Sequence, residues 1–202
     1  MSTKRPKVAV VGSFMMDLVV KAERRPKVGE TLVGEEFGMF LGGKGTNQAI
    51  AAARLGAEVH MIGRLGQDQF GDIIIESLQK DNIHTDFIVK DAEVGTGIAT
   101  PVIDADGNNS IIIIPRANMR LTVANVEKAA SAIAEADVLL LQLEVPIEPS
   151  KRAAEIAGEN STVVILNPAP ACQIPNEFLK FVDYLTPNEI ETEMLTGVKV
   201  SD

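Results

Sequence analysis

The stretch GTNQAIAAARLGAEVHMIGRLG (residues 45–66) decides the fold class. Its first part, 45–57, is rich in alanine and stops at Gly56, which suits a helix. Its second part, 58–66, returns as a strand. Upstream, KVAVVGS (7–13) is a short β-branched apolar run closed by Gly12 and Ser13, the pattern of a strand buried on both faces. Strand, helix, strand in that order implies a right-handed parallel crossover.

The alternation continues along the chain. Residues 68–82 read as a helix, with Ile74, Ile75 and Leu78 in its apolar stripe. Helix 122–136, strand 137–144, helix 149–160, strand 162–167 and strand 181–186 follow, and a last helix starts at Pro187. This order predicts a doubly wound α/β fold with a mostly parallel sheet, in one domain over 1–202. Two regions break the rhythm. Segments 17–25 and 30–41, then 96–104 and 109–115, read as strands, the last two joined by an Asp106-Gly107 hairpin signal. They form a small β-layer inserted at about 17–41 and 94–115. Such a layer has open edges and an apolar face to cover, which suits a lid, a dimer contact or both.

Composition narrows the function. The formal net charge is −9, which argues against nucleic-acid binding, since that needs a basic face. It does not argue against a small anion held by backbone N–H groups. The apolar runs IIII (111–114) and VLLLQL (138–143) are strand-sized, far short of the roughly 18 residues of a membrane helix. One cysteine, Cys172, cannot staple a domain, so the expected setting is the reducing cytoplasm.

Several residues have the chemistry of a site, each with a plainer alternative. In an open α/β sheet, ligands gather beyond the carboxyl ends of the strands. Asp17, among apolar neighbours after the first strand, needs donors that sugar hydroxyls would supply; it can also be a turn aspartate. Gly38, Gly43 and Lys44 nearly spell a nucleotide phosphate loop, but Gly45 stands where that loop needs a hydroxyl. Gly42, Gly43, Lys44, Gly45 and Asn47 can instead let a polyol approach a helix start, or simply form a turn. Glu144 closes the apolar run LLLQLE, as a functional carboxylate or an exposed strand end. LNPAPA (166–171) is a rigid loop explained by turn chemistry. Thr186, Pro187 and Glu189 read as a capping box, which leaves Asn188 and Glu191 on one helix face, suited to hydrated Mg²⁺ or to solvent. His60 and His84 lie apart in sequence, and neither reads as a metal ligand.

Taken together, VVGSFMMDLV, PKVGET, GGKGTNQAIAAARLGA, GRLGQDQFG, LQLE, NPAPA and TPNEIETEMLTG resemble the pfkB-type carbohydrate kinases, and within them the ribokinase group, over nearly the whole chain. The resemblance implies transfer of the ATP γ-phosphoryl group to the primary 5-hydroxyl of D-ribose. It implies that Asp17, Gly42, Gly43, Lys44, Asn47 and Glu144 bind the sugar, and that Asn188 and Glu191 organise phosphate and Mg²⁺. ATP and Mg²⁺ are the implied cofactors, with a monovalent cation such as K⁺ as a candidate activator. The β-layer matches the family lid that pairs two subunits, which implies a homodimer.

Met15 and Arg116 stand where the family pattern has asparagine and glycine, which leaves room for another sugar or a nucleoside. The family's proton-accepting aspartate closes a D-x-x-G-A-G-D signature further downstream. No GAGD occurs in these 202 residues. No catalytic residue is therefore assigned, and the expectation is an N-terminal part, incomplete at the C-terminus and inactive alone. Another pfkB-type kinase, or a non-catalytic sugar-binding or dimerising module, is the alternative.

Overall fold

A computed structural model describes residues 5–200. Its main sheet has six strands, all parallel, in the order β10-β9-β8-β1-β4-β5. The chain enters at β1 (Lys7–Val11), crosses by α1 (Lys44–Arg54) to β4 (Glu58–Gly66), then by α2 (Gln69–Lys80) to β5 (His84–Asp91). It then returns to the other side of β1 with β8 (Val138–Leu141), α5 (Ile147–Glu159), β9 (Val163–Leu166), α6 (Asn176–Leu179) and β10 (Tyr184–Leu185). The order reverses between β1 and β8, so the crevice beyond their carboxyl ends is where this architecture places ligands.

Alternation along β1 explains why this strand is central. Val8 and Val10 enter an apolar cluster with Ala49, Met61, Ile74 and Leu78 from the α1–α2 side. Ala9 and Val11 enter a second cluster with Val126, Ile133, Ala153 and Phe178 on the opposite face. A strand with period-two side chains serves both layers only if every position is apolar. Full burial of a side chain such as Ile74 or Leu78 contributes about 2 kcal/mol.

The second sheet has four strands in the order β3-β2-β6-β7. These are β2 (Met15–Lys21), β3 (Glu36–Gly42), β6 (Gly97–Ile103) and β7 (Asn109–Ile114). β2 pairs antiparallel with β3 and parallel with β6, and β7 closes the sheet antiparallel to β6. Much of its apolar surface is uncovered, including Phe37, Phe40 and Ile111 to Ile114.

Some expected elements differ. Strand β5 is additional; its mixed sequence HTDFIVKD lacks a clean two-residue period. The expected helix 122–136 is two short helices, α3 (Val123–Glu127) and α4 (Ala130–Ala134). The expected strand 137–144 stops at Leu141, and the expected strand 181–186 pairs only at Tyr184–Leu185. The last helix, α7, spans Glu189–Thr196. No helix among the described residues is long and apolar enough to cross a membrane.

Candidate functional site

Three loops meet at the point where the strand order reverses. Gly12 to Phe14 link β1 to β2, so the main sheet passes into the small one through three residues. Gly43 caps α1, and residues 142–146 follow β8. Glu144 ties these loops together. Its Oε2 accepts from Ser13 Oγ at 2.5 Å and from the Lys44 backbone N–H at 2.8 Å. Ser13 Oγ in turn accepts from the Gly45 N–H at 3.3 Å. At the start of α1 the Lys44 N–H thus meets a carboxylate, the charge a helix N-terminus favours, and the Gly45 N–H meets the Ser13 hydroxyl.

The glycines serve this close packing. Gly43 holds φ at +88°, a conformation that side chains rarely adopt. A Cβ on Gly45 would lie 2.4 Å from the Ser13 nitrogen and 2.7 Å from the Gly12 carbonyl carbon, both rigid backbone. At Gly42 the space a side chain would take is filled by the Asp17 carboxylate.

Asp17 comes from the other sheet, midway along β2 opposite Phe40 and Ala99. It is half-buried, and its side chain accepts no hydrogen bond among the described residues. Burial, and then the charge of Glu144, push its carboxyl above the usual carboxylate range. A half-buried carboxylate without donors retains the capacity to accept hydrogen bonds. Lys44 contributes its backbone N–H here. Asn47, in the first turn of α1, is exposed and its side chain has no partner among the described residues.

Asn118 and Gln142 join these loops without a sequence signal, while Met15 and Arg116 are the two departures from the family pattern. Asn118 is fully buried and stitches the loop after β1 to the turn after β7. Its Oδ1 accepts from Phe14 N–H at 2.8 Å, and its Nδ2 donates to the Phe14 carbonyl at 2.8 Å and to the Pro115 carbonyl at 2.9 Å. Gln142 is buried beside Gly12; it donates to Gln48 at 2.5 Å, while its Oε1 has no partner among the described residues. Met15 is buried in β2. Arg116 stands at φ +49°, with its guanidinium over Gly95 and donating to the Thr96 carbonyl at 3.3 Å.

Asn188 and Glu191 are brought together, but the capping pattern differs from the expected one. The expected box of Thr186 and Glu189 is displaced by two residues: Asn188 caps α7 and Glu191 is its partner. Glu191 N–H donates to Asn188 Oδ1 at 2.8 Å, and Asn188 N–H donates to Glu191 Oε2 at 2.9 Å. Asn188 is extended, as a cap must be, and this leaves Pro187 outside the helix. The oxygen donors of this pair suit Mg²⁺. Each Glu191 oxygen accepts one hydrogen bond from Asn188, which leaves each with lone-pair capacity for a hydrated ion.

Comparison with known proteins gives the context. The description "pfkB family carbohydrate kinase" belongs to the family whose pattern matches residues 5–202. A ribokinase of Staphylococcus aureus is 43% identical over 197 residues, 97% of this chain and 65% of the relative. A deoxyribokinase of Salmonella typhi is 38% identical, over 96% of this chain and 63% of the relative. The structure of Arabidopsis thaliana ribokinase complexed with ribose and ATP superposes with a TM-score of 0.88 at 34% identity, covering 98% of this chain and 65% of that one. The chain therefore spans somewhat under two thirds of the length of these relatives. A doubly wound sheet with a small mixed sheet, a carboxylate-lined crevice between them and a match over almost all of its length place this chain in the pfkB family of carbohydrate kinases.

Proposed function

We propose that this chain is the sugar-binding part of an ATP-dependent kinase that phosphorylates the primary 5-hydroxyl of D-ribose. The observation that carries the proposal is the pair of carboxylates at the reversal point: Glu144, fixed by Ser13 and Lys44, and Asp17, with no donor of its own. Adjacent hydroxyls of a free sugar would supply the missing donors. Gly42, Gly43, Lys44 and Asn47 complete the sugar contact in this reading. The ribokinase names among the relatives, and the ribose bound by the Arabidopsis protein, favour the same sugar class. The deoxyribokinase relatives make 2-deoxyribose the second candidate.

Asn188 and Glu191 would hold hydrated Mg²⁺ near the phosphates of ATP. Such an ion neutralises charge on the transferring group, and catalysis of this kind rests on positioning. The 202 residues contain no G-A-G-D, so the proposal for this chain alone is sugar binding without turnover. The small sheet would act as a lid over the sugar, and its exposed apolar face would pair two subunits in the cytoplasm.

Calorimetric titration of this chain with D-ribose and with 2-deoxy-D-ribose tests the reading. Ribose binding that is lost in Asp17→Asn, with the circular dichroism spectrum unchanged, is expected. The absence of pentose binding, or equal binding by the variant, would overturn it. A coupled assay for ATP-dependent phosphorylation tests the absence of turnover.

A further inference from the structure

His60 and His84, distant in sequence, face each other across the β4–β5 pair. Their rings stack with centroids 4.3 Å apart and planes 13° apart. Separation in sequence becomes contact in space, because the parallel crossover places the third residue of β4 beside the first of β5. Glu58, two residues before His60 on the same face, completes the group. One ligand atom from each of the three residues lies within 4.8 Å of the other two.

A bulge makes this juxtaposition. Between the pairs His60–His84 and Ile62–Phe87, β4 advances two residues and β5 advances three. Without the extra residue, Thr85 would stand opposite His60. Bulges are rare in parallel pairs and typically re-aim a side chain.

The group is also poorly satisfied as it stands. His60 Nδ1 is buried with no hydrogen-bond partner among the described residues. His60 Nε2 lies 3.8 Å from Glu58 Oε1, too far for a hydrogen bond.

We propose that Glu58, His60 and His84 bind a divalent transition-metal ion of the Zn²⁺ type, at the amino end of the strands and away from the sugar crevice. Two imidazoles and one carboxylate favour such an ion over Mg²⁺, which takes oxygen ligands. A tetrahedral shell needs ligand atoms about 3.3 Å apart. Stacked rings aim their in-plane lone pairs side by side, so ligation requires His84 to rotate out of the stack and Glu58 to turn inward; His84 is exposed and Glu58 half-buried, which leaves both room to move. The fourth position would face solvent and hold water. The ion would clamp the edge strand β5 to β4.

The test uses the tag-free chain carrying Cys172→Ser, because that exposed thiol is a competing zinc ligand. Calorimetric titration with Zn²⁺ at neutral pH should show one equivalent bound, and Co²⁺ should give the visible absorption of a tetrahedral site. His84→Ala, at an exposed position that leaves the core intact, should weaken Zn²⁺ binding by about tenfold or more. It should also abolish a zinc-dependent rise in melting temperature. Glu58→Gln should weaken binding in the same direction. No saturable zinc uptake by the parent, or His84→Ala binding as tightly as the parent, would overturn the proposal.

Discussion

Ser13 Oγ donates to Glu144 Oε2 at 2.5 Å, across 131 positions of sequence. This bond fastens the loop after β1 to the loop after β8 at the point where the strand order reverses. Ser13→Ala removes it and leaves a part-buried carboxylate short of a donor. A loss of about 1–2 kcal/mol of stability is expected, read from the urea midpoint, with weaker ribose binding. A variant as stable as the parent would show that water replaces the hydroxyl at no cost.

Asp17 predicts a pH dependence for the sugar. Its carboxyl sits above the usual value of 3.8 because of burial and then the charge of Glu144. If ribose hydroxyls donate to the ionised form, binding holds that form, and affinity falls as pH drops through the raised pKa. Above it the profile should be flat. Asp17→Asn should lower affinity by about 100-fold, the loss of two hydrogen bonds to a charged group, and remove this pH dependence. Calorimetry across an acid pH series reads both effects.

Asp91 is shifted the other way, and it predicts a pH dependence of stability. Burial pushes its carboxyl up, but N–H donation from Glu93 and Val94 and the Arg64 guanidinium 2.7 Å away outweigh this and hold it at about 2. Because the folded value lies below the ordinary 3.8, the contribution is fully present above about pH 4 and is lost as pH falls towards about 2. Urea unfolding at stepped pH should show a shallower acid decline in Asp91→Asn than in the parent.

The cap of α7 offers a local test. Asn188→Ala removes a side chain that accepts from Glu191 N–H at 2.8 Å, and a cost of about 1 kcal/mol is expected. Amide exchange should show the loss confined to α7, where no residue is buried. Glu189→Ala, at the position first read as the cap partner, should be close to neutral.

The exposed face of the small sheet predicts association. Phe40 is 59% exposed and Ile113 is 41% exposed, and the strand registers put both on the face that carries Asp17. Charged residues introduced at both positions, Phe40→Asp with Ile113→Asp, should convert a dimer into a monomer in light scattering, with the circular dichroism spectrum retained. A parent that is monomeric at high concentration would refute pairing through this face.

The fold was legible where periodicity was strong. Val8 to Val11 and Val59 to Leu65 are apolar enough to read as buried strands, and Gly56 marks the end of α1. β5 was missed because Thr85, Asp86 and Lys90 interrupt its apolar residues, as an edge strand permits. The cap of α7 was misplaced by two residues because Thr186-Pro187 imitates a helix start. The backbone of Thr186 instead donates to the Leu166 carbonyl at 3.0 Å, still within the sheet. Asp17 and Glu144 were visible as isolated carboxylates in apolar stretches. Asn118 and Gln142 were not, because burial by tertiary contact leaves no local pattern. The pairing of His60 with His84 depends on one extra residue in β5, and periodicity does not reveal a bulge.

Only Gly12, Ser13 and Phe14 separate β1 from β2, so the joint between the two sheets is built from the floor of the crevice. A displacement of the small sheet against the main one would move Asp17, in β2, relative to Glu144. A distance probe placed across the two sheets would report that displacement.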